Sequence, residues 1–157
     1  MANFLRWMLL LPVVAIMGAH DIPVGSARGG MAPEERWDPR HLSVLPAQVR
    51  ATLARYEKAC GPLAAEHAFS RWIDGGGTSF LALHFEHLRC LDRKTLCGPT
   101  GCLHEVFVAS REGYRLILRT HATEIELIII GARPALRLEC GVAACSRPLI
   151  WNGRSFV

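Results

Sequence analysis

Lysine is almost missing from this chain: of 157 residues only Lys58 and Lys94 carry it, and no basic run is longer than the pair Arg93-Lys94. The formal net charge of +4 is therefore spread along the sequence. A domain that grips phosphates gathers its positive charge on one face, so no nucleic-acid partner is expected. Also missing is an apolar run of membrane-spanning length. The N-terminal run Trp7 to Ala19 (WMLLLPVVAIMGA) is 13 residues long, against about 20 needed to cross the hydrocarbon.

The chemical signatures that would announce an enzyme are absent too. There is no Gly-x-Ser-x-Gly elbow and no His-Glu-x-x-His, and so no marked nucleophile or zincin helix. Gly75-Gly76-Gly77 is followed by the strand-like Ser79 to Phe85 rather than by a helix, so it is not a phosphate loop. Asp74 before it is the one carboxylate between Glu66 and Glu86, too few for the six to eight oxygens that calcium takes. No Cys-x-x-Cys redox motif occurs, and no repeat of 20 to 50 residues is visible.

What is present begins with an export signal. Arg6 precedes the 7–19 apolar run, His20, Asp21 and Pro23 end it, and Gly25-Ser26-Ala27 offers small residues for cleavage. That order predicts a signal peptide over residues 1–27, with Ala19 the other candidate cleavage point. The product would be periplasmic or secreted, with no stable membrane span after cleavage. Residues 28–43, rich in Gly, Pro and charge, read as a flexible lead-in. Residues 44–157 then form one domain.

Cys60, Cys90, Cys97, Cys102, Cys140 and Cys145 all lie in the mature part, and an even number in an exported chain reads as a disulfide framework. Turn residues between Cys97 and Cys102, and between Cys140 and Cys145, make two local loops plausible. Cys60 with Cys90 is then the long-range bond, although Cys90 with Cys97 is nearly as reasonable.

Pro46 suits a first helical turn, and Val49, Leu53, Tyr56 and Cys60 recur at helical spacing until Gly61-Pro62. They predict one amphipathic helix with an inward face. Strands are expected near 68–73, 79–85, 104–109, 114–120, 125–130, 135–140 and 149–157, with short turns between them. The fold class is α+β: one N-terminal helix packed on a mainly antiparallel, disulfide-stapled β meander. Leu127 to Ile130 reads as a central strand buried on both faces.

The residues most suggestive of chemistry are His84, Glu86 and His104. On an extended strand His84 and Glu86 share a face while His87 points away, so a joint site needs a bend there or help from His104. They are more often structural than ligating. No catalytic residue, metal or cofactor is assigned from sequence.

The segment Cys97-Gly98-Pro99-Thr100-Gly101-Cys102, preceded by Leu88-Arg89-Cys90 and followed by Trp151-Asn152-Gly153-Arg154-Ser155-Phe156, resembles a group of small exported bacterial proteins of unknown function. Its members pair a Cys-Gly-x-x-Gly-Cys loop with a preceding strand, and many carry an acidic turn before that strand. Here Asp74-Gly75-Gly76-Gly77 stands in that place without the extra acids. The resemblance covers roughly 66–157 and implies export and disulfides; it supplies no catalytic residues. The resulting expectation is a non-enzymatic binding or structural module of the cell envelope, partnered by an envelope protein or other component. An enzyme or hydrolase inhibitor with a dispersed site is the alternative, with the Cys97–Cys102 loop as the inhibitor's contact.

Overall fold

In the computed structural model, residues 36–140 and 148–157 are described. Residues 1–27, expected as a signal peptide, and Cys145 lie outside them. Two helices come first: α1 (Arg40–Ser43) and α2 (Ala47–Cys60). α2 starts directly after Pro46, whose φ of −54° is preset for a helix entrance. It stops at Gly61, which takes φ +74° and gives its N–H to the Glu57 carbonyl. Its buried residues are Val49, Leu53, Tyr56 and Cys60, the four of the sequence pattern.

Residues 36–43, expected as the end of a flexible lead-in, are folded. Asp38 bridges Ala65 through backbone bonds, and Leu42 is buried in the same cluster as α2. The apolar Leu42 and Leu45 anchor them. Among the described residues α2 is thus preceded by a packed segment rather than opening the fold.

The strands form two antiparallel sheets instead of one meander. In the first, β1 (Ser70–Gly75) turns through Gly76 and Gly77, both at positive φ, into β2 (Thr78–His84). Two positive-φ residues between paired ends make the tight hairpin that glycine favours. β4 (Gly101–Ser110) pairs with β2, with the two-residue β3 (Cys97–Gly98), and with β5 (Gly113–Ala122). The second sheet is β6 (Glu124–Ile130), β7 (Arg133–Glu139) and β8 (Leu149–Ile150), in that order. The last expected strand, 149–157, ends at Ile150, and the chain folds back so that Trp151 bridges Phe156. A short helical turn, His67–Phe69, replaces the start expected for the first strand.

Strand alternation builds two cores. Leu81, Leu83, Leu103 and Phe107 face α2, whereas Ala82 and Val106 join Ala122, Ile125 and Leu136 of the second cluster. Phe80 to His84 and Leu103 to Val108 are accordingly buried without interruption. These are the two-faced central strands. Leu127 to Ile130, expected in that role, lies on the edge strand β6, where Ile129 and Ile130 are 43% and 41% exposed. An apolar run of that length reads the same at a sheet centre and at a hairpin end, and only the pairing separates them.

Two disulfides staple the frame, Cys60–Cys90 and Cys97–Cys102. The Cys90–Cys97 alternative is overturned by the segment 87–91, which lies along 60–66. Glu66 N–H donates to the His87 carbonyl, Arg89 N–H to Ala64 and Leu91 N–H to Cys60, setting Cys90 beside the end of α2. Cys140 is disulfide-bonded as well.

Candidate functional site

His84 ends β2 and His104 stands in β4, directly opposite each other in the ladder. Both face the second sheet, with ring centroids 5.2 Å apart and edge to face. Register alone fixes this pair. The chain then leaves strand geometry at once: Phe85–His87 is a single 3-10 turn that buries Phe85 against Phe69 and Tyr56. That turn swings Glu86 back over the pair, supplying both the bend and the His104 contribution that the sequence required. Donor atoms of His84, Glu86 and His104 all lie within 4.8 Å of one another.

The distances are particular. Glu86 Oε1 is 3.7 Å from His84 Nδ1, and Glu86 Oε2 is 3.9 Å from His104 Nε2. Both exceed hydrogen-bond length. His104 Nε2 instead lies 3.1 Å from the Ala122 carbonyl, so that nitrogen carries the proton and Nδ1 holds the lone pair of the neutral ring. His84 is 2% exposed and His104 fully buried. Among the described residues, His84 Nε2, His104 Nδ1 and Glu86 Oε2 are buried without a hydrogen-bond partner, as is Glu105 Oε2 on the other face of the strand. An unsatisfied buried polar group costs about 1–3 kcal/mol, so three together mark a site whose polar capacity the fold itself does not use.

Electrostatics agree with that geometry. Burial pushes the His104 imidazole below its ordinary value, against the pull of the Glu86 charge, and so favours the neutral ring. Burial pushes the Glu86 carboxyl up, but His84, its own backbone N–H and the charge of His104 outweigh it and leave it ionised below the usual carboxylate value. The His104 ring, the His84 imidazole beside it and the Glu86 carboxylate thus converge. His87 Nε2 comes within 3.9 Å of Glu86 Oε1, but the convergent set is His84, Glu86 and His104. His87 Nδ1 is 2.8 Å from Glu66, which Arg36 holds from the other side at 2.5 Å.

A second buried polar group escaped the sequence reading. Glu105, adjacent to His104, faces α2 and is fully buried; its Oε1 accepts from Arg55 at 2.5 Å and Tyr56 at 2.9 Å, with Arg119 at 3.5 Å. The one signal for it was a carboxylate inside an otherwise apolar strand, His104-Glu105-Val106-Phe107-Val108. This network is a tie between helix and sheet. Asp74, weighed as a remnant ion loop, accepts a bond from Ser79 inside the β1–β2 hairpin.

Two clefts lie elsewhere. One of about 370 Å³ is lined by Arg71, Glu124, Ile125, Glu126, Arg137 and Glu139, and is partly self-neutralised by the Arg137–Glu126 pair at 2.5 Å. The other, about 540 Å³, runs between α1 and α2. Neither contains His84, Glu86 or His104.

Comparison with protein-family models, curated proteins and solved structures finds no match. The two disulfides fit an extracellular protein. Among the described residues no helix is long and apolar enough to cross a membrane.

Proposed function

We propose that this chain is an exported, disulfide-stapled binding module of the cell envelope, non-enzymatic, with its binding centre at His84, Glu86 and His104. The observation that carries the reading is the turn at Phe85–His87, which returns the half-buried Glu86 carboxylate to two buried imidazoles. Unused electron pairs suit holding a ligand, and the cluster is set on paired strands and stapled segments, where geometry is kept rigid.

The test is the intact mass of the protein purified from the periplasm, with and without reductant. The reading expects a mass lighter by the first 27 residues and by two hydrogens for every disulfide. A chain that begins at Met1 with six free thiols overturns it.

A second reading, an inhibitor of an envelope hydrolase, is favoured by one feature: Gly98, Pro99 and Thr100 are exposed at the tip of the Cys97–Cys102 hairpin. Shortening that tip abolishes inhibition in this reading and leaves ligand binding at His84, Glu86 and His104 intact in the first.

A further inference from the structure

We infer that His84, Glu86 and His104 hold one divalent late first-row transition-metal ion, of the Zn²⁺, Ni²⁺ or Cu²⁺ class, in an exchangeable site. The inference rests on the reading of these residues as the binding centre and names the ligand.

Spacing is the first argument. Two ligands on one tetrahedral zinc, with bonds of about 2.0–2.1 Å, stand roughly 3.3 Å apart. Glu86 Oε1 stands 3.7 Å from His84 Nδ1, too far to bond directly and within about half an ångström of sharing an ion. One ligand atom from each of the three residues lies within 4.8 Å of the other two.

Donor chemistry is the second. Imidazole nitrogen is the ligand of zinc, nickel and copper, whereas calcium and magnesium take oxygen ligands. A set with two nitrogens and one carboxylate therefore selects against the abundant hard cations. Three protein ligands also leave at least one coordination position for water or an incoming ligand, unlike a closed structural site.

Support beneath the ligands is the third. His104 gives its Nε2 proton to the Ala122 carbonyl, the kind of outer bond that orients a metal-bound imidazole. Glu86 sits on a turn whose following residues are tied to 60–66 by backbone bonds and by Cys60–Cys90. His104 follows Cys102 by two residues, so the Cys97–Cys102 bond steadies its strand entry. The two β-strand ligands are locked by register. The site thus keeps its shape without the ion, and a chelator removes the metal without unfolding the chain.

The experiment uses the full chain exported to the periplasm, disulfides intact, stripped with chelator and titrated with Zn²⁺ against a chromophoric competitor. Bound Co²⁺ is followed by its visible d–d absorption. One ion per chain is expected, with a dissociation constant in the micromolar range or tighter, undisturbed by millimolar Ca²⁺. Glu86→Gln keeps size and exposure while removing the charge, and is expected to weaken Zn²⁺ at least 100-fold. His121→Gln, on the exposed side of β5, leaves affinity unchanged. A wild-type protein that binds neither ion, or a Glu86→Gln protein that binds Zn²⁺ as the wild type does, overturns the inference. Since export and disulfides are read by mass alone, failure of metal binding in a correctly processed, oxidised chain sinks this inference and not the export reading.

Discussion

Breaking the Cys60–Cys90 disulfide should cost markedly more stability than breaking Cys97–Cys102, and the difference is calculable. Chain-entropy accounting assigns a cross-link a loss of about 2.1 + 1.5R ln n cal/mol/K from the unfolded ensemble. With a separation of 30 residues the first bond contributes about 3.6 kcal/mol at 25 °C, and with a separation of 5 the second contributes about 2 kcal/mol. Cys60 is also 1% exposed within the helix-side core, so losing its sulfur adds a packing penalty on the same side. Alanine rather than serine is the right replacement, because a buried hydroxyl would introduce an unpaired polar group. The assay is urea unfolding of the Cys60→Ala/Cys90→Ala and Cys97→Ala/Cys102→Ala double variants beside the wild type. Midpoints and slopes are fitted separately, since removing a cross-link also expands the unfolded state and raises the slope. The long-range variant should lose roughly 1.5 kcal/mol more than the local one, or several degrees in Tm. Equal losses, or a larger loss from the Cys97–Cys102 variant, would refute the idea that loop length governs these staples.

Three further outcomes follow from the packing. Tyr56→Phe removes the hydroxyl that donates to buried Glu105 and accepts from Arg119, so urea unfolding should show a loss of about 2 kcal/mol, the scale of a bond to a charged group. Gly101→Ala should destabilise by more than about 3 kcal/mol, because Gly101 has φ +108° and a Cβ there would stand 2.0 Å from the Ala122 carbonyl oxygen; Gly98→Ala, with open space around it, should stay within about 0.5 kcal/mol in the same measurement. Arg40 bonds hold the Asp38 carboxyl below its ordinary value, and Glu66 is held low as well, by Arg36 and His87 against its burial. Depressed carboxylates stabilise the fold above their unfolded value of about 4 and lose that contribution as pH falls through the lower folded value. Thermal melts from pH 6 down to 2 should therefore show a steeper acid loss for the wild type than for Asp38→Asn/Glu66→Gln, and parallel curves would count against these pairs.

What the sequence made legible was whatever rests on local periodicity. Val49, Leu53, Tyr56 and Cys60 name the buried face of α2 because a helix repeats every 3.6 residues and nothing nearby contradicts it. Turns were legible where glycine was required, as at Gly76 and Gly77. The layering was not, because strand order is a property of pairing. Leu127 to Ile130 has the composition of a core strand, yet β7 covers one edge of it and, among the described residues, no strand pairs with the other. Phe80 to His84, which is buried throughout, looks less apolar because it ends in a histidine.

The candidate site shows the same division at the scale of single residues. His104 and Glu105 are neighbours on one buried strand, and alternation sends one to each core. Glu105 lands under α2, where Arg55 and Tyr56 from the helix and Arg119 from β5 meet it. Its Oε1 is answered by these groups, while its Oε2 is buried with no partner among the described residues. His104 lands against the second sheet, where one carbonyl takes its proton and its other nitrogen meets no protein partner. Opposite it His84 Nε2 is likewise buried without a partner among the described residues, and the turn at 85–87, which contains no glycine or proline to announce it, adds a third such atom from Glu86. Burial makes each such atom costly, and the remedy used for Glu105 one residue away, an arginine from the facing layer, was within reach of the same scaffold. Among the described residues no arginine or lysine pairs with these three donors, and the inferred metal ion would complete them.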